Sequence, residues 1–397
     1  MKHRKEKTRR MEEQRWLIDK VIETSGVDFS WAPTGNALSI LGYDAYPDVM
    51  SIRARVKKYA DISREFERVA SRREAVARKA EGEGHPMTAR ENYFAASIFY
   101  GIATWPYHED DNEENIAYHA KKAECYDKYI AYAPHPIERV EIPFESRSLP
   151  AILHLPREAQ RPLPSVLAIR GMDALKEYSV PVYGDRFLER GIAVLALDGP
   201  GQGECLLRGI RCSADNYARA GGAAMDYLER RPEIDASRIA LSGRSMGSFW
   251  GAQVAAHDHR IKAASVQAVC HEPGMNNLFN TASPTFKARY IWMASFENED
   301  EFDEFARTLT LEGVGGRIKC PFQIVAGEDD ELSPIKHSYD LYDEITAPKQ
   351  IVVYRGERHS LSGALGWQTL VADWIKDRLD GKPMQSGRIH VDAGGAK

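Results

Sequence analysis

The 397-residue chain has few cysteines, no long apolar run and no surplus of positive charge. Each shortage removes a class of protein. The five cysteines (Cys125, Cys205, Cys212, Cys270, Cys320) are scattered and form no C-x-x-C pair. That argues against a disulfide framework or a zinc site and fits a reducing cytoplasm. No apolar stretch approaches the ~20 residues needed to cross a bilayer, so no membrane partner is expected. The basic opening KHRKEKTRR has no apolar segment after it, so it is not a secretory signal. Glu12 and Glu13 follow at once, and the opening reads as a solvated terminus. Against 53 basic residues stand 58 acidic ones, a net charge of −5 that gives nucleic acid nothing to bind. With 30 Gly, 20 Pro and 43% hydrophobic residues, collagen-like and disordered classes are also excluded. A soluble, cytoplasmic globular protein remains, long enough for one large domain and a smaller one.

The chain divides near residue 136. From residue 11 to about 133 the pattern is helical. Residues 61–81 are dense in Arg, Glu and Ala, and Gly82, Gly84 and Pro86 break that helix. Thr88 and Glu91 form a capping box for a helix that runs to Trp105, and a further helix spans 112–132. Pro134 and Pro136 make a stiff boundary. The expected organisation is a helical cap over residues 1–135, a second domain over 136–382, and a polar, disordered tail over 383–397.

After the boundary, short β-rich runs alternate with helical stretches. The runs are Val140–Phe144, Leu149–Leu155, Val166–Ile169, Ile192–Leu197, Arg238–Leu241, Ala263–Val269, Phe322–Val325 and Ile351–Tyr354. The first two are close enough for a hairpin. Several later ones are nearly all apolar, as strands covered on both faces must be. The fold class is α/β: an eight-stranded, mostly parallel sheet flanked by helices. Residues 271–318, between the sixth and seventh strands, form a helical excursion long enough to cover a site.

Gly243-Arg244-Ser245-Met246-Gly247 follows the strand ending at Leu241 and precedes a small-residue helix. This is the strand–turn–helix setting of a nucleophile elbow. A serine on so tight a turn needs neighbours without side chains, and a helix N-terminus behind it favours a developing anion. The serine also needs a base, and the base an orienting acid. In this architecture the acid follows the seventh strand and the histidine the eighth. Gly-Glu-Asp-Asp-Glu-Leu-Ser-Pro and Arg-Gly-Glu-Arg-His-Ser stand in those two places. His359 is the base. Glu328, Asp329, Asp330 and Glu331 are consecutive, and a G-x-x-D spacing from Gly327 selects Asp330, with its neighbours as alternatives.

Other residues carry open readings. Lys176 and Glu177 read as a structural ion pair. Asp198-Gly-Pro-Gly-Gln-Gly-Glu204 looks like a phosphate loop, but Pro200 lacks an N–H that a phosphate cradle would use, so it reads as a pocket-shaping turn. Glu272, beside His271 at the end of the sixth strand, is a second acid acting on substrate, an alternative partner for His359, or a surface group. Tyr93, Tyr100 and Trp105 line an aromatic pocket or simply pack the helical core.

These motifs together resemble the α/β-hydrolases. Within them the chain resembles the branch holding the 2,6-dihydroxypseudooxynicotine hydrolase-like C–C bond hydrolases and the FrsA-like esterases. The likeness covers nearly the whole chain. It runs from the Thr88 helix (TARENYFAA) through IRGMDALKE after the third strand and DGPGQGE after the fourth to the elbow. The spacing suits the branch, with 85 residues from Ser245 to Asp330 and 29 from Asp330 to His359. One departure is Ala174-Leu175, where a serine often precedes the Lys-Glu pair. The resemblance implies an oxyanion hole made by the N–H groups of Met172 and Met246, with Gly171 beside the substrate. It implies hydrolysis of a small-molecule carbonyl compound, by C–C cleavage next to a ketone or by ester, thioester or lactone cleavage. A homodimer, a lid role for the helical domain, and no metal or organic cofactor are also implied. A non-catalytic binding protein on the same fold is the third reading, and the intact serine, histidine and acid weigh against it.

Overall fold

The computed structural model describes residues 8–29, 31–182 and 185–392. They fall into two compact units. One runs to Glu138 and takes in a short segment from Val180; the other holds Arg139–Ser179 and everything from Asp185 onward.

The first unit carries α1 (Arg9–Ser25), α2 (Trp31–Leu41), α3 (Tyr46–Arg55), α4 (Ile62–Gly82), α5 (Pro86–Ala103) and α6 (Glu113–Ala131). Of the basic opening, residues 1–7 lie outside the described residues. Thr8 Oγ1 accepts from Met11 N at 3.1 Å and so caps α1. The core lies where α4, α5 and α6 pack in succession. Phe66, Val69 and Ala77 of α4 and Ala96, Ile98 and Phe99 of α5 are fully buried there. One expectation is corrected: α5 begins at Pro86 with His85 as its N-cap, so Thr88 and Glu91 do not form a capping box. Proline pre-sets the backbone angle of a helix's first turn and needs no N–H there, which starts the helix three residues early.

The second unit is built on a nine-stranded sheet. Its strands are β1 (Ile137–Phe144), β2 (Arg147–His154), β3 (Leu163–Ile169), β4 (Ala193–Leu197), β5 (Ile234–Ser245), β6 (Ala263–Val269), β7 (Phe322–Gly327), β8 (Lys349–Arg355) and β9 (Gly387–Asp392). The order is β1-β2-β4-β3-β5-β6-β7-β8-β9. β2 runs antiparallel to β4, and every pairing from β4 to β9 is parallel. β3, β4, β6 and β7 are buried along their whole length, which is why they read as continuous apolar runs.

The tail is the second correction. Residues 387–392 form β9, paired in parallel with β8 from Gln350↔Gly387 to Arg355↔Asp392. Gly387-Arg-Ile-His-Val-Asp392 is exposed or half-exposed throughout, so it carries no apolar alternation to betray a strand. Residues 393–397 lie outside the described residues.

Because β3 and β5–β8 are parallel, the loops after them all open at one edge of the sheet, where ligands bind in folds of this kind. Those loops carry Gly171 and Met172, Ser245, Glu272, Asp330 and His359. The 271–318 excursion is helical, with Pro284–Met293 and Glu299–Ala306 as its main helices. It is tied to the β3 loop by Arg289 Nε and Asp173 Oδ1, 4.0 Å apart.

Candidate active site

Ser245 sits between β5 and the helix Met246–His257 with φ 56° and ψ −127°. A residue with a side chain rarely holds that conformation, and it survives only where its surroundings enforce it. The enforcement is steric. A Cβ on Gly243 would collide with the Gly247 carbonyl, and one on Gly247 with the Ile169 carbonyl. The pentapeptide is glycine at both ends because strand, turn and helix backbones touch there.

Ser245 Oγ lies 3.0 Å from His359 Nε2. On the far side of the ring, Nδ1 lies 3.0 Å from Asp330 Oδ2 and 3.2 Å from Oδ1. Asp330 is buried and also accepts from Leu332 N at 2.9 Å and Ser333 N at 3.0 Å. These bonds hold the carboxylate in place. The three side chains that the motifs selected are therefore brought into one hydrogen-bonded line.

The other acids of the 328–331 run have separate tasks. Glu331 Oε2 accepts from His359 N at 3.1 Å, and Glu328 Oε2 from Gly356 N at 3.3 Å. Both pin the histidine loop. Arg244 does the same from the elbow, donating to Ser360 O at 3.2 Å with its guanidinium 5.4 Å from the Trp367 ring centroid.

Glu272 does not bond the imidazole. Its Oε2 accepts from Asn277 N at 2.7 Å, while Asp330 occupies Nδ1 of His359. As a partner for His359 Nδ1 it is displaced by Asp330, and its carboxylate stands just after β6. Ser333 Oγ accepts from His271 N and Glu272 N at 2.8 and 3.2 Å, which joins the acid loop to the end of β6. His271 is buried with Nδ1 3.1 Å from Ser338 Oγ, and burial pushes its pKa down to about 3. It is a neutral packing histidine.

Gly171 and Met172 follow β3, and Gly171 faces the nucleophile. Met172 and Met246 are both buried. Met246 N–H is the first of the helix it opens, and such groups have no partner within the helix. Cys270 Sγ lies 3.9 Å from Ser245 Oγ, and burial pushes its thiol up, so it stays protonated.

Lys176 goes beyond the simple ion pair. It is fully buried, with Nζ 3.1 Å from Asp198, 3.2 Å from Glu177 and 2.6 Å from Glu204. Burial alone would lower its pKa; the three carboxylates outweigh that and raise it. Tyr93 and Trp105 lie in the helical unit. Tyr93 is buried and donates to Glu81 Oε2 at 2.7 Å, and Trp105 packs on Tyr59 with centroids 5.7 Å apart. Sequence reasoning missed Gln202, whose side chain donates to carbonyls some thirty residues upstream in the chain.

A mostly parallel sheet in this order, with flanking helices and a strand–turn–helix elbow, is the α/β-hydrolase fold, and the chain is a hydrolase. It belongs to the FrsA-like esterase family, whose model (Esterase FrsA-like) matches residues 65–347. It is 25% identical over 351 residues to 2,6-dihydropseudooxynicotine hydrolase of Paenarthrobacter nicotinovorans, covering 86% of this chain and 90% of that one. Hydrolyase poxO of Penicillium oxalicum is 30% identical over 204 residues, covering 49% of this chain and 48% of its own. The chain thus spans about half the length of poxO and of several other curated relatives it matches. The solved structure of 2,6-dihydroxy-pseudo-oxynicotine hydrolase shares the fold at a TM-score of 0.78 and 24% identity, covering 89% of this chain and 99% of that one.

Among the described residues no helix is long and apolar enough to cross a membrane. Nor do three or more His, Cys, Asp or Glu side chains gather there as metal ligands would.

Proposed function

We propose that the protein is a serine hydrolase that cleaves a carbon–carbon bond next to a ketone in an aromatic or polyketide-type small molecule. The line from Ser245 Oγ to His359 Nε2 and from Nδ1 to Asp330, each link 3.0 Å, carries this reading. Ser245 attacks the carbonyl carbon as His359 takes its proton, and Asp330 holds the imidazole and balances its charge. The N–H groups of Met172 and Met246 receive the oxyanion. Collapse breaks the C–C bond, and the electron pair leaves on a carbon stabilised by an electron-rich ring. That carbon takes the proton from His359, with Glu272 assisting at the strand edge. Water, deprotonated by His359, then releases the carboxylic acid from Ser245. Cys270, protonated and buried, does not compete as nucleophile.

The likeness to 2,6-dihydropseudooxynicotine hydrolase over most of both chains favours the carbon–carbon reading. The match to an esterase family model favours a second reading, ester, thioester or lactone hydrolysis by the same groups. Purified enzyme offered p-nitrophenyl esters and an aryl 1,3-diketone separates the two. Diketone cleavage is the expected result; fast ester turnover with an untouched diketone selects the esterase. We also propose a cytoplasmic homodimer, which light scattering checks, and a role for the N-terminal helices in limiting substrate size.

A further inference from the structure

Gln202 belongs to the loop after β4, yet its side chain serves the loop after β3. The residue is 1% exposed. Its Nε2 donates to Gly171 O at 2.8 Å and to Arg170 O at 3.0 Å. Its Oε1 accepts from Gly199 N at 3.2 Å and from the Tyr217 hydroxyl. Both amide hydrogens and both lone-pair positions are thus used, and the carboxamide cannot flip without losing bonds on both ends.

The consequence follows from peptide geometry. A peptide unit is planar and trans, so the carbonyl of Gly171 and the N–H of Met172 lie in one plane and point in opposite directions. Fixing Gly171 O therefore fixes where Met172 N–H points. Ala174 N also donates to that carbonyl, at 3.2 Å, so the plane is held twice. Hydrogen bonds at the oxygen further polarise the unit and strengthen its N–H as a donor.

The anchor behind Gln202 reaches the nucleophile. Tyr217 is fully buried and stacks on Trp250, with ring centroids 4.5 Å apart and planes 7° from parallel. Trp250 lies on the helix that Met246 opens. Trp250, Tyr217 and Gln202 thus tie that helix to the Gly171–Met172 peptide.

We infer that Gln202 is a positioning residue: its amide aims Met172 N–H at the oxyanion, and Tyr217 holds the amide. This rests on the assignment of Met172 as an oxyanion donor to the Ser245 nucleophile. The test compares wild type with Gln202→Leu and Tyr217→Phe, using a turned-over ester or ketone and an aryl trifluoromethyl ketone. That inhibitor adds to serine as a tetrahedral hemiketal. Losing one oxyanion donor costs on the order of 100-fold or more in kcat. Gln202→Leu is expected to lower kcat by about that factor, with KM within about threefold and the pH profile unmoved. The inhibition constant for the trifluoromethyl ketone should rise in proportion to the fall in kcat/KM. Tyr217→Phe, which removes only the hydroxyl, should show a smaller loss of the same form. A folded Gln202→Leu with kcat within about twofold of wild type overturns the inference, as does lost kcat with unchanged hemiketal affinity. If Gln202→Leu does not fold, Tyr217→Phe with wild-type kcat and inhibition overturns it. Ser245→Ala run alongside separates the two levels. Full activity there defeats the serine mechanism itself, whereas an inactive Ser245→Ala beside a fully active Gln202→Leu defeats only this inference.

Discussion

A Cβ placed on Gly171 would stand 2.9 Å from the Cβ of Ser245 and 3.3 Å from its Oγ. The β3 loop therefore packs directly on the Ser245 side chain, and a side chain on residue 171 fits only if one of the two moves. Gly171→Ala must push the two apart by several tenths of an ångström. Displacements near 1 Å at reacting groups cost about 100-fold in rate. The expected outcome is a 10- to 100-fold lower kcat/KM with a loss of roughly 1–3 kcal/mol in stability. Steady-state kinetics and urea unfolding of the variant check both.

Ser245→Ala and Asp330→Asn should each lower kcat by about 10⁴-fold or more while the protein stays folded. Asparagine in place of the acid favours the wrong tautomer of His359. Glu272→Gln should leave acylation, read as the p-nitrophenol burst, close to wild type. If Glu272→Gln alone abolishes the burst, the acid of the triad has been misassigned.

The Lys176 ammonium touches the carboxylates of Glu177, Asp198 and Glu204, and of these three Glu204 is also reached by Arg139 and Arg208. Removing one partner of a buried ionic group costs about 3–5 kcal/mol, because the remaining charges stay buried. Lys176→Met should lose stability in that range and recover part of it at low pH, where the carboxylates take up protons. Urea midpoints at pH 7 and pH 5 check the pattern.

His271 is depressed to about 3 in the folded protein, by burial first and by the charge of His337 second. An unfolded chain would bind a proton on it near pH 6.5. The stability this neutral histidine contributes is therefore full above pH 6.5 and is lost as pH falls toward 3. The loss from this one group is roughly 1.5 kcal/mol between pH 6.5 and 5. His271→Gln, which keeps a hydrogen-bonding group for Ser338, should show a shallower decline by that amount. Equal declines in the two proteins would show that His271 is not held neutral.

The residues explain why some of this was legible beforehand. The elbow could be read because its constraint is steric and so is written as two glycines around Ser245. The buried strands could be read because two covered faces demand apolar residues in succession. β9 could not: an edge strand exposed on both faces carries no such demand, and its six residues look like tail. Asp330 was separable from Glu328, Asp329 and Glu331 by its spacing from Gly327, although all four have the chemistry of a partner for His359. Gln202 escaped notice because its loop read as a turn. The amide's work is done on carbonyls from another strand's loop, a relation that only the folded chain reveals. The Thr88–Glu91 signature was present but idle, overridden by Pro86.

β9 also changes what can safely be attached to this protein. The strand next to it, β8, leads directly into the His359 loop, so any truncation or fusion past Asp380 acts one hydrogen-bonded ladder away from the base. Affinity tags and fluorescent partners placed beyond Asp392 would be joined to a strand that pairs directly with β8.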